Sequence, residues 1–364
     1  MTQNELNKII ENHQHYLNED IDGWESMRAD LSYKNLNGLY LSNANLYGAN
    51  LNNANLRKAH LKNADLSNAD LSNANLNNAN LRKAHLRNAN LSSADLNDAD
   101  LIHADLRESN LSNADFRNAD LINANLAYTD IRSADLRMAN LRKANLREAN
   151  LSNANLKNAN LNNVNLREAN LYGANLSYAD LNNSALNNAD LREANLYRAF
   201  CCYTNLCGVD LRNADLSEAD MYGANLRDTN LFGVNLKNTN IVCAVISEDT
   251  KIDYPIACPE TGSFIGYKKA CYRYIVKLQI CEDAKRSSAT TKKCRCSKAL
   301  VLAIENIDGS DSGLQKIASK FDPCFIYRIG EIAEVPNFDD NRWHECAPGI
   351  HFFMDRQDAV EYGF

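Results

Sequence analysis

No run of about 18 apolar residues occurs anywhere in the 364, which excludes a hydrophobic membrane-spanning helix. The opening residues Met1-Thr2-Gln3-Asn4-Glu5-Leu6 lack the basic stretch and apolar segment of a secretory leader. Familiar catalytic signatures are missing as well: there is no P-loop, G-x-G-x-x-G, G-x-S-x-G or H-E-x-x-H. Proline is scarce, five in all, and each lies beyond residue 247. Eleven cysteines is an odd number, which argues against a stapled secreted fold and for buried thiols in a reducing compartment. The chain is therefore expected to be soluble and cytoplasmic. Charge is also short of one sign where it matters. The formal net charge is −7, yet residues 29–246 carry 22 acidic and 21 basic side chains, so the excess lies in the two ends.

What the sequence does have is a period. From Leu31 to Ile246 a large aliphatic residue stands at nearly every fifth position without one insertion, giving 44 repeats. Two residues before this central position the side chain is almost always Ala (Ala44, Ala49, Ala54, Ala59), and one before it Asn or Asp (Asn45, Asn50, Asp65). A period of five matches neither 3.6 nor 2.0, so neither a helix nor a flat strand keeps these leucines on one side. The chain must turn once per repeat. Four repeats closing one coil would put four central residues and four alanines inside, with neighbouring coils paired as parallel ladders. Eleven such coils at about 4.8 Å each make a rod of roughly 50 Å. In so narrow an interior the alanine is a steric requirement. Asn and Asp before the central residue suit the bends, since they bond local backbone and tolerate unusual φ.

This A(N/D)LXX pattern, as in Ala44-Asn45-Leu46-Tyr47-Gly48, resembles the pentapeptide-repeat family over about 60% of the chain. The resemblance implies an all-β, right-handed quadrilateral β-helix over residues 29–246. Departures are Phe116, Cys201 and Met221 at central positions and Thr129, Val164, Thr204, Val209, Thr229, Val234 and Thr239 in place of alanine. Their clustering toward the C-terminal coils predicts a rod that widens or loosens there, and Asn183-Ser184-Ala185 marks an expected local irregularity.

Both ends of a solenoid need covers. Thr2 with Glu5 forms a capping-box pattern, and Leu6, Ile9, Ile10, Tyr16 and Leu17 recur near helical spacing, so residues 1–28 should hold a capping helix over 2–18. Beyond residue 246 the period stops. Tyr272 to Ile280, Ala299 to Ile304 and Phe325 to Val335 read as strands and Asp355 to Tyr362 as a helix, together a small α+β domain over 247–364. Segments such as Gly262-Ser263-Phe264-Ile265-Gly266 and Cys346-Ala347-Pro348-Gly349-Ile350-His351-Phe352-Phe353 resemble an uncharacterised domain that often follows pentapeptide repeats in bacterial and phage proteins. That resemblance implies no activity.

Candidate sites follow from stacking residues 20 apart. One face carries Ile102 above Ile122 and then Phe200, Cys202, Tyr203, Tyr222, Val242 and Cys243, an apolar strip that implies a covered surface. Docking of residues 247–364 against Phe200, Tyr203 and Tyr222 is the plainest cover; a second copy or another protein is the alternative. The family includes quinolone-resistance proteins that bind DNA gyrase by imitating B-DNA, which supplies a further alternative. The near-neutral rod argues against it. One acidic belt exists, Asp95, Asp98, Asp100, Asp105, Glu108, Asp115, Asp120, Asp130 and Asp135, opposed in sequence by Arg107, Arg117 and Arg132.

In the C-terminal domain Arg342, His344, His351 and Arg356 are candidate ligand-binding residues, crowded into one segment without a catalytic spacing. Cys294 and Cys296 with His344, Cys346 and His351 offer four metal ligands at a spacing unlike that of zinc sites, so core packing is the preferred reading and no metal or cofactor is assigned. The basic segment from Lys285-Arg286 to Lys298 lacks interleaved aromatics, reads as a solvated loop, and argues against a nucleic-acid partner. The sequence thus describes a non-enzymatic protein-interaction scaffold, with no residue assigned a catalytic role. The competing class is a C-terminal domain that binds a ligand or catalyses a reaction.

Overall fold

The computed structural model describes all residues except 248, 253–256, 272, 289–290, 321, 341–346 and 363–364. Helix α1 (Gln3–Asn18) begins at the capping box: Thr2 Oγ1 accepts from the Glu5 amide at 3.3 Å, and the Glu5 carboxylate accepts from the Thr2 amide at 2.8 Å. Leu6 and His13 are its fully buried residues. The helix also terminates the ladder with polar groups. The Gln3 carboxamide accepts from the Tyr40 amide and donates to the Tyr40 carbonyl, both at 2.9 Å, standing in for the backbone of a coil that does not exist. His13 Nδ1 accepts from the Ala29 amide and Nε2 donates to the Tyr47 carbonyl, both at 3.1 Å, which fixes a neutral ring. An open sheet edge is thereby closed by hydrogen bonding as well as by apolar cover.

The repeat from Leu46 to Asn50 satisfies all five of its backbone N–H groups. Leu46 donates to Asp65 of the next coil (2.6 Å), Gly48 to Ser67 (2.8 Å), Ala49 back to Leu46 across the turn (3.0 Å), and Asn50 to Ala29 of the preceding coil (2.9 Å). The fifth amide, that of Tyr47, faces outward at the turn and donates to the side-chain Oδ1 of Asn45 (3.2 Å). Bridges join residues 20 apart from Asp30↔Asn50 to Asn225↔Val245, so four repeats make one coil. Positive φ falls two residues after the central one (Asn123 at 56°, Lys143 at 59°), not on the Asn or Asp before it, as expected from the sequence. That preceding residue is the extended, bridged position, and its side chain serves the turn; the pattern of one left-handed third residue is that of a type II turn.

The central side chains and the alanines two before them are buried along the solenoid except at its ends, where Ala44, Ala244 and Ile246 are half-buried. The C-terminal coils do not loosen as expected. The 20-residue register continues, and each hydroxyl replacing an alanine methyl finds a carbonyl: Thr204 Oγ1 to Leu181 at 2.8 Å and Thr229 Oγ1 to Leu206 at 3.0 Å. The strain is local, seen in turn bonds of 3.4 Å at Thr129 and 3.3 Å at Thr229 against 2.9 Å at Ala124. Asn183-Ser184-Ala185 is regular too, because Ser184 Oγ donates to Leu161 (2.8 Å) and Ala185 bridges both neighbours. The real irregularity comes later: strand β1 (Asn230–Leu231) pairs in parallel with β2 (Lys251–Ile252) at an offset of 21 residues. Thr250 Oγ1 donates to the Leu226 carbonyl (2.9 Å) beside this added residue.

The chain divides into two compact units, Met1–Leu236 with Ala244–Asp253, and Lys237–Cys243 with Tyr254–Phe364. The second is strand-rich. It contains β3 (Phe264–Ala270), β4 (Tyr274–Ile280), β5 (Arg286–Ser288), β6 (Lys293–Cys296), β7 (Lys298–Asn306), β8 (Lys316–Ala318), β9 (Ile326–Arg328), β10 (Ile332–Glu334) and β11 (Ile350–Phe353), with one six-residue helix α2 (Arg356–Glu361) capped by Asp355. Seven strands form an antiparallel sheet in the order β10-β7-β4-β3-β11-β6-β5, and β8 pairs with β9. Val276, Leu278, Cys294, Cys296, Tyr327, Ile350 and Phe352 fill one core cluster. Gly266 is required within it, since a Cβ there would stand 2.5 Å from the Phe352 ring.

Two expectations are corrected. The strand expected over Phe325 to Val335 is broken in two by a turn with Gly330 at φ 82°. The segment expected as a solvated loop contains the β5–β6 hairpin: Arg295 is 2% exposed, and Arg286 Nη2 donates to the carbonyls of Gly262, Cys281 and Glu282 at 2.6 to 2.9 Å. Its arginines are structural.

Ala124, 1% exposed inside the solenoid, tests the width of the interior. Ala124→Leu should destabilise the protein by about 1–3 kcal/mol through overpacking, measured by denaturant unfolding. An unchanged midpoint would mean that the interior has room the packing argument denies.

Candidate functional site

The solenoid surface is built from the residues at and just after each turn. Six times the sequence places Asp before the central residue and Arg after it, and six times the pair closes as a fork: Arg107–Asp105, Arg117–Asp115, Arg132–Asp130, Arg137–Asp135, Arg192–Asp190 and Arg212–Asp210, at 2.5 to 2.6 Å. The guanidinium bonds hold the Asp105, Asp130, Asp190 and Asp210 carboxyls below the usual range. Arg82 pairs with Asp100 (3.1 Å) and Arg87 with Glu108 (2.7 Å). Six of the nine acidic residues of the belt are therefore paired, by Arg82, Arg87 and Arg137 in addition to the three arginines apparent in the sequence, while Asp95, Asp98 and Asp120 have no ion pair among the described residues.

One side of the later coils differs. At one corner the Tyr178 and Tyr197 rings meet edge to face, centroids 5.5 Å apart, with Arg198 over Tyr197 at 5.2 Å. At the next corner Tyr203 and Tyr222 meet in the same way, also at 5.5 Å. Between the corners stands Phe200, 49% exposed, at a position that holds Asn or Asp in most repeats and Tyr40, His60, His85 or Ala185 in a few others. This substitution removes the acceptor that the Cys202 amide would use. Asn182 of the preceding coil supplies it instead, with Oδ1 2.7 Å away. Tyr203 and Tyr222 are 61% and 36% exposed. Ile102 and Ile122 belong to the same column as Tyr222 but are half-buried and separated from Cys202 by Arg142, Asn162 and Asn182, so the expected continuous strip is two separate patches. Four coils at about 4.8 Å place them roughly 19 Å apart.

The second unit holds a cavity of about 640 Å³. Strands β3 and β11 pair at one register position only, Phe353↔Tyr267, and both strands contribute to the lining. Lys268 (β3), Lys293 (β6) and His351 (β11) bring nitrogen; Phe325, Tyr327 and Tyr362 bring rings. Lys268 is 9% exposed and makes no hydrogen bond or ion pair among the described residues. Desolvation and then the Lys293 charge depress its ammonium to about pKa 8. Desolvation, followed by Lys293 and Lys268, drops His351 to about 3. His351 is therefore neutral at physiological pH, and since its Nε2 donates to the Ala347 carbonyl (3.2 Å), Nδ1 bears the lone pair.

Of the residues singled out in this domain, only His351 is brought to the cavity. Arg342 and His344 lie outside the described residues. Arg356 is elsewhere, bonded to Glu305 (3.0 Å) and to the carbonyls of Asn306 (2.9 Å) and Ile307 (3.3 Å), where it ties α2 to the end of β7. Cys294 and Cys296 are fully buried beside their register partners Phe352 and Ile350, and strand alternation turns His351 to the opposite face, so that ligand set is not assembled. Cys346 lies outside the described residues. Sequence reasoning missed Lys268, although its signal is present. In Phe264 to Ala270 the small residues Gly266 and Ala270 alternate inward, and Lys268 stands between them in the same phase.

Comparison with known proteins bears on both units. Residues 39–116 match a model described as a pentapeptide repeat region, and residues 99–137, 139–177, 169–200 and 203–238 match one of pentapeptide repeats in eight copies. The chain belongs to the pentapeptide-repeat family. Residues 254–359 match a family of unknown function, DUF5758. Among solved structures, this pentapeptide-repeat protein is 31% identical to HetL, a protein involved in heterocyst differentiation regulation in the cyanobacterium Nostoc, over 66% of this chain and 97% of that one, with a TM-score of 0.29. It is 36% identical to Rfr23 of the cyanobacterium Cyanothece over 29% of this chain and 64% of that one (TM-score 0.23). It is 17% identical to QnrB1, a plasmid-mediated fluoroquinolone resistance protein, over 48% and 92% (TM-score 0.30). No curated protein matches. No helix among the described residues is long and apolar enough to cross a membrane.

The buried lysine makes stability depend on pH in a calculable direction. Between about pH 8 and the ordinary lysine value of 10.5, the unfolded chain keeps a proton that native Lys268 has shed, so stability rises with pH. Lys293, His351, Cys296, Tyr327, Asp322 and Glu334 surround or line the same cavity and are common to wild type and variant. Lys268→Met should therefore be the more stable protein at pH 7.5 in phosphate-free buffer, its advantage shrinking by up to about 3 kcal/mol toward pH 10.5. A pH-independent difference in unfolding free energy would show that the ammonium is solvated.

Proposed function

We propose that this pentapeptide-repeat protein is a non-enzymatic interaction scaffold whose solenoid presents the side centred on Phe200 to a protein partner. The observation that carries the reading is Phe200 itself. An aromatic ring occupies a position where Asn or Asp completes the local turn, the lost bond is remade from the preceding coil, and tyrosine pairs flank the ring at both corners. Exposed Phe and Tyr beside Arg198 are the side chains that anchor protein interfaces, combining large contact area with few rotors. Much of the rest of the solenoid offers paired charges and asparagine ladders such as Asn165–Asn145 (2.9 Å), with other exposed apolar side chains at Tyr33, Tyr40, Met138 and Phe232.

DNA mimicry is the weaker reading, because it needs unneutralised negative charge and this surface chelates its aspartates. We place the protein in the cytoplasm, in keeping with buried thiols such as Cys201 and Cys296 in a reducing compartment. The partner is either a second copy of the chain or a different protein.

Phe200→Asn restores the repeat pattern and should leave the solenoid as stable as before or slightly more so. Light scattering and affinity purification of wild type should show a self-associated species or a stoichiometric partner, and the variant should lose it. Retention by the variant, or a wild type that neither self-associates nor retains a partner, would overturn the reading.

A further inference from the structure

Lys268 poses a problem that the fold leaves unsolved. Its side chain is nine-tenths buried, yet among the described residues the charged side chain acting most strongly on it is the repelling ammonium of Lys293. Transferring an ammonium from water into such a site is costly unless an opposite charge meets it. The two carboxylates that line the cavity do not serve. Asp322 accepts from the Cys324 amide at 2.9 Å, and Glu334 sits at the β10 edge opposite Lys298, its register partner. Neither is among the groups that act on Lys268. The rest of the lining sets rings among small and polar residues such as Ser319, Val335, Asn337 and Pro348: Phe325 and Tyr327 meet edge to face at 5.2 Å, and Tyr362 lies under Lys293 at 5.8 Å. A cavity of this volume, with a few convergent polar groups among rings, has the build of a small-molecule site.

We propose that the cavity between β3, β6 and β11 binds a small organic anion, its phosphate or carboxylate held by Lys268 and Lys293 and its apolar body laid against Phe325 and Tyr327. The anion supplies the counter-charge that the domain withholds, and the Nδ1 lone pair of neutral His351 accepts a hydroxyl or amide proton of the ligand. This inference goes beyond the scaffold reading and stands apart from it, since its residues belong to the other compact unit.

The test uses the full chain and four probes in thermal-shift and calorimetric titrations: inorganic phosphate, a nucleoside monophosphate, benzoate, and uncharged benzamide as the neutral analogue of benzoate. At millimolar concentration at least one anion should raise the melting temperature while benzamide does not. Phosphate or the nucleotide acting alone identifies a phosphate ligand, and benzoate acting alone a carboxylate. Lys268→Met should weaken the effective anion at least about tenfold, as should Lys293→Met, while Lys316→Met on exposed β8 should leave it unchanged. The proposal is overturned if no anion shifts the protein, if benzamide equals benzoate, or if Lys268→Met binds like wild type. Because Phe200→Asn is predicted to bind these probes normally, failure here and failure of the interface reading give different results.

Discussion

The solenoid depends on one bond, the donation from each outward-facing turn amide to the Asn or Asp side chain two residues before it. Four of the five N–H groups in a repeat are served by backbone, three of them by adjacent coils and one across the turn. The fifth has no backbone carbonyl within reach, and a row of unsatisfied amides along every corner would oppose the fold. An oxygen at the position before the central residue satisfies this amide from inside the repeat. The same side chain can donate along the coil axis, as Asn145 does to Asn125 at 3.0 Å, so one residue type closes the turn and ties the coils. One exception shows a remedy: where Phe200 lacks the oxygen, Asn182 of the preceding coil provides it.

Once the turns and the interior are fixed, the positions at and after the corner are left open, and the chain spends them in two ways. Most carry arginines that fold back on the aspartate of their own repeat, which turns potential patches into neutral forks worth little to stability. A few carry rings. Because the register is 20 residues without exception from Asp30 to Val245, a tyrosine at one corner meets whatever the neighbouring coil places there, and ring pairs form from sequence spacing alone.

The repeat made the first unit almost wholly legible, since a period of five with small and large residues in fixed phase admits few solutions. Two details were not. The left-handed residue is two after the central one, a place where Asn and Gly are frequent but Lys, Glu, Tyr and Arg also occur, so the pointer was there and was masked by the stronger Asn and Asp signal before the central residue. The polar closure by Gln3 and His13 is also invisible in a helical pattern read for apolar spacing. In the second unit long strands such as Tyr274–Ile280 were readable and short ones were not. Three-residue strands like Arg286–Ser288 are defined by what they pair with, and their side chains looked like those of a loop. Arg356 and His351 lie five residues apart, yet a helix cap and a strand send them to different tasks.

The two units treat charge in opposite ways. In the solenoid the acidic forks stand at the surface in contact with water, some with a second contact to the adjacent coil such as Arg117–Asp135 at 3.9 Å, so each contributes little on its own. In the sheet domain Arg286 and Arg295 have guanidinium nitrogens matched to carbonyls, Arg286 to Gly262 at 2.6 Å and Arg295 to Pro348 at 3.3 Å, although Arg286 Nε is buried without an acceptor among the described residues. Lys268 is enclosed and matched to nothing among the described residues. A domain that shields two guanidinium groups with carbonyls has the means to shield a third cation or to replace it with an apolar residue. That it does neither, beside rings and a second lysine, is the behaviour of a site whose last partner comes from outside the chain.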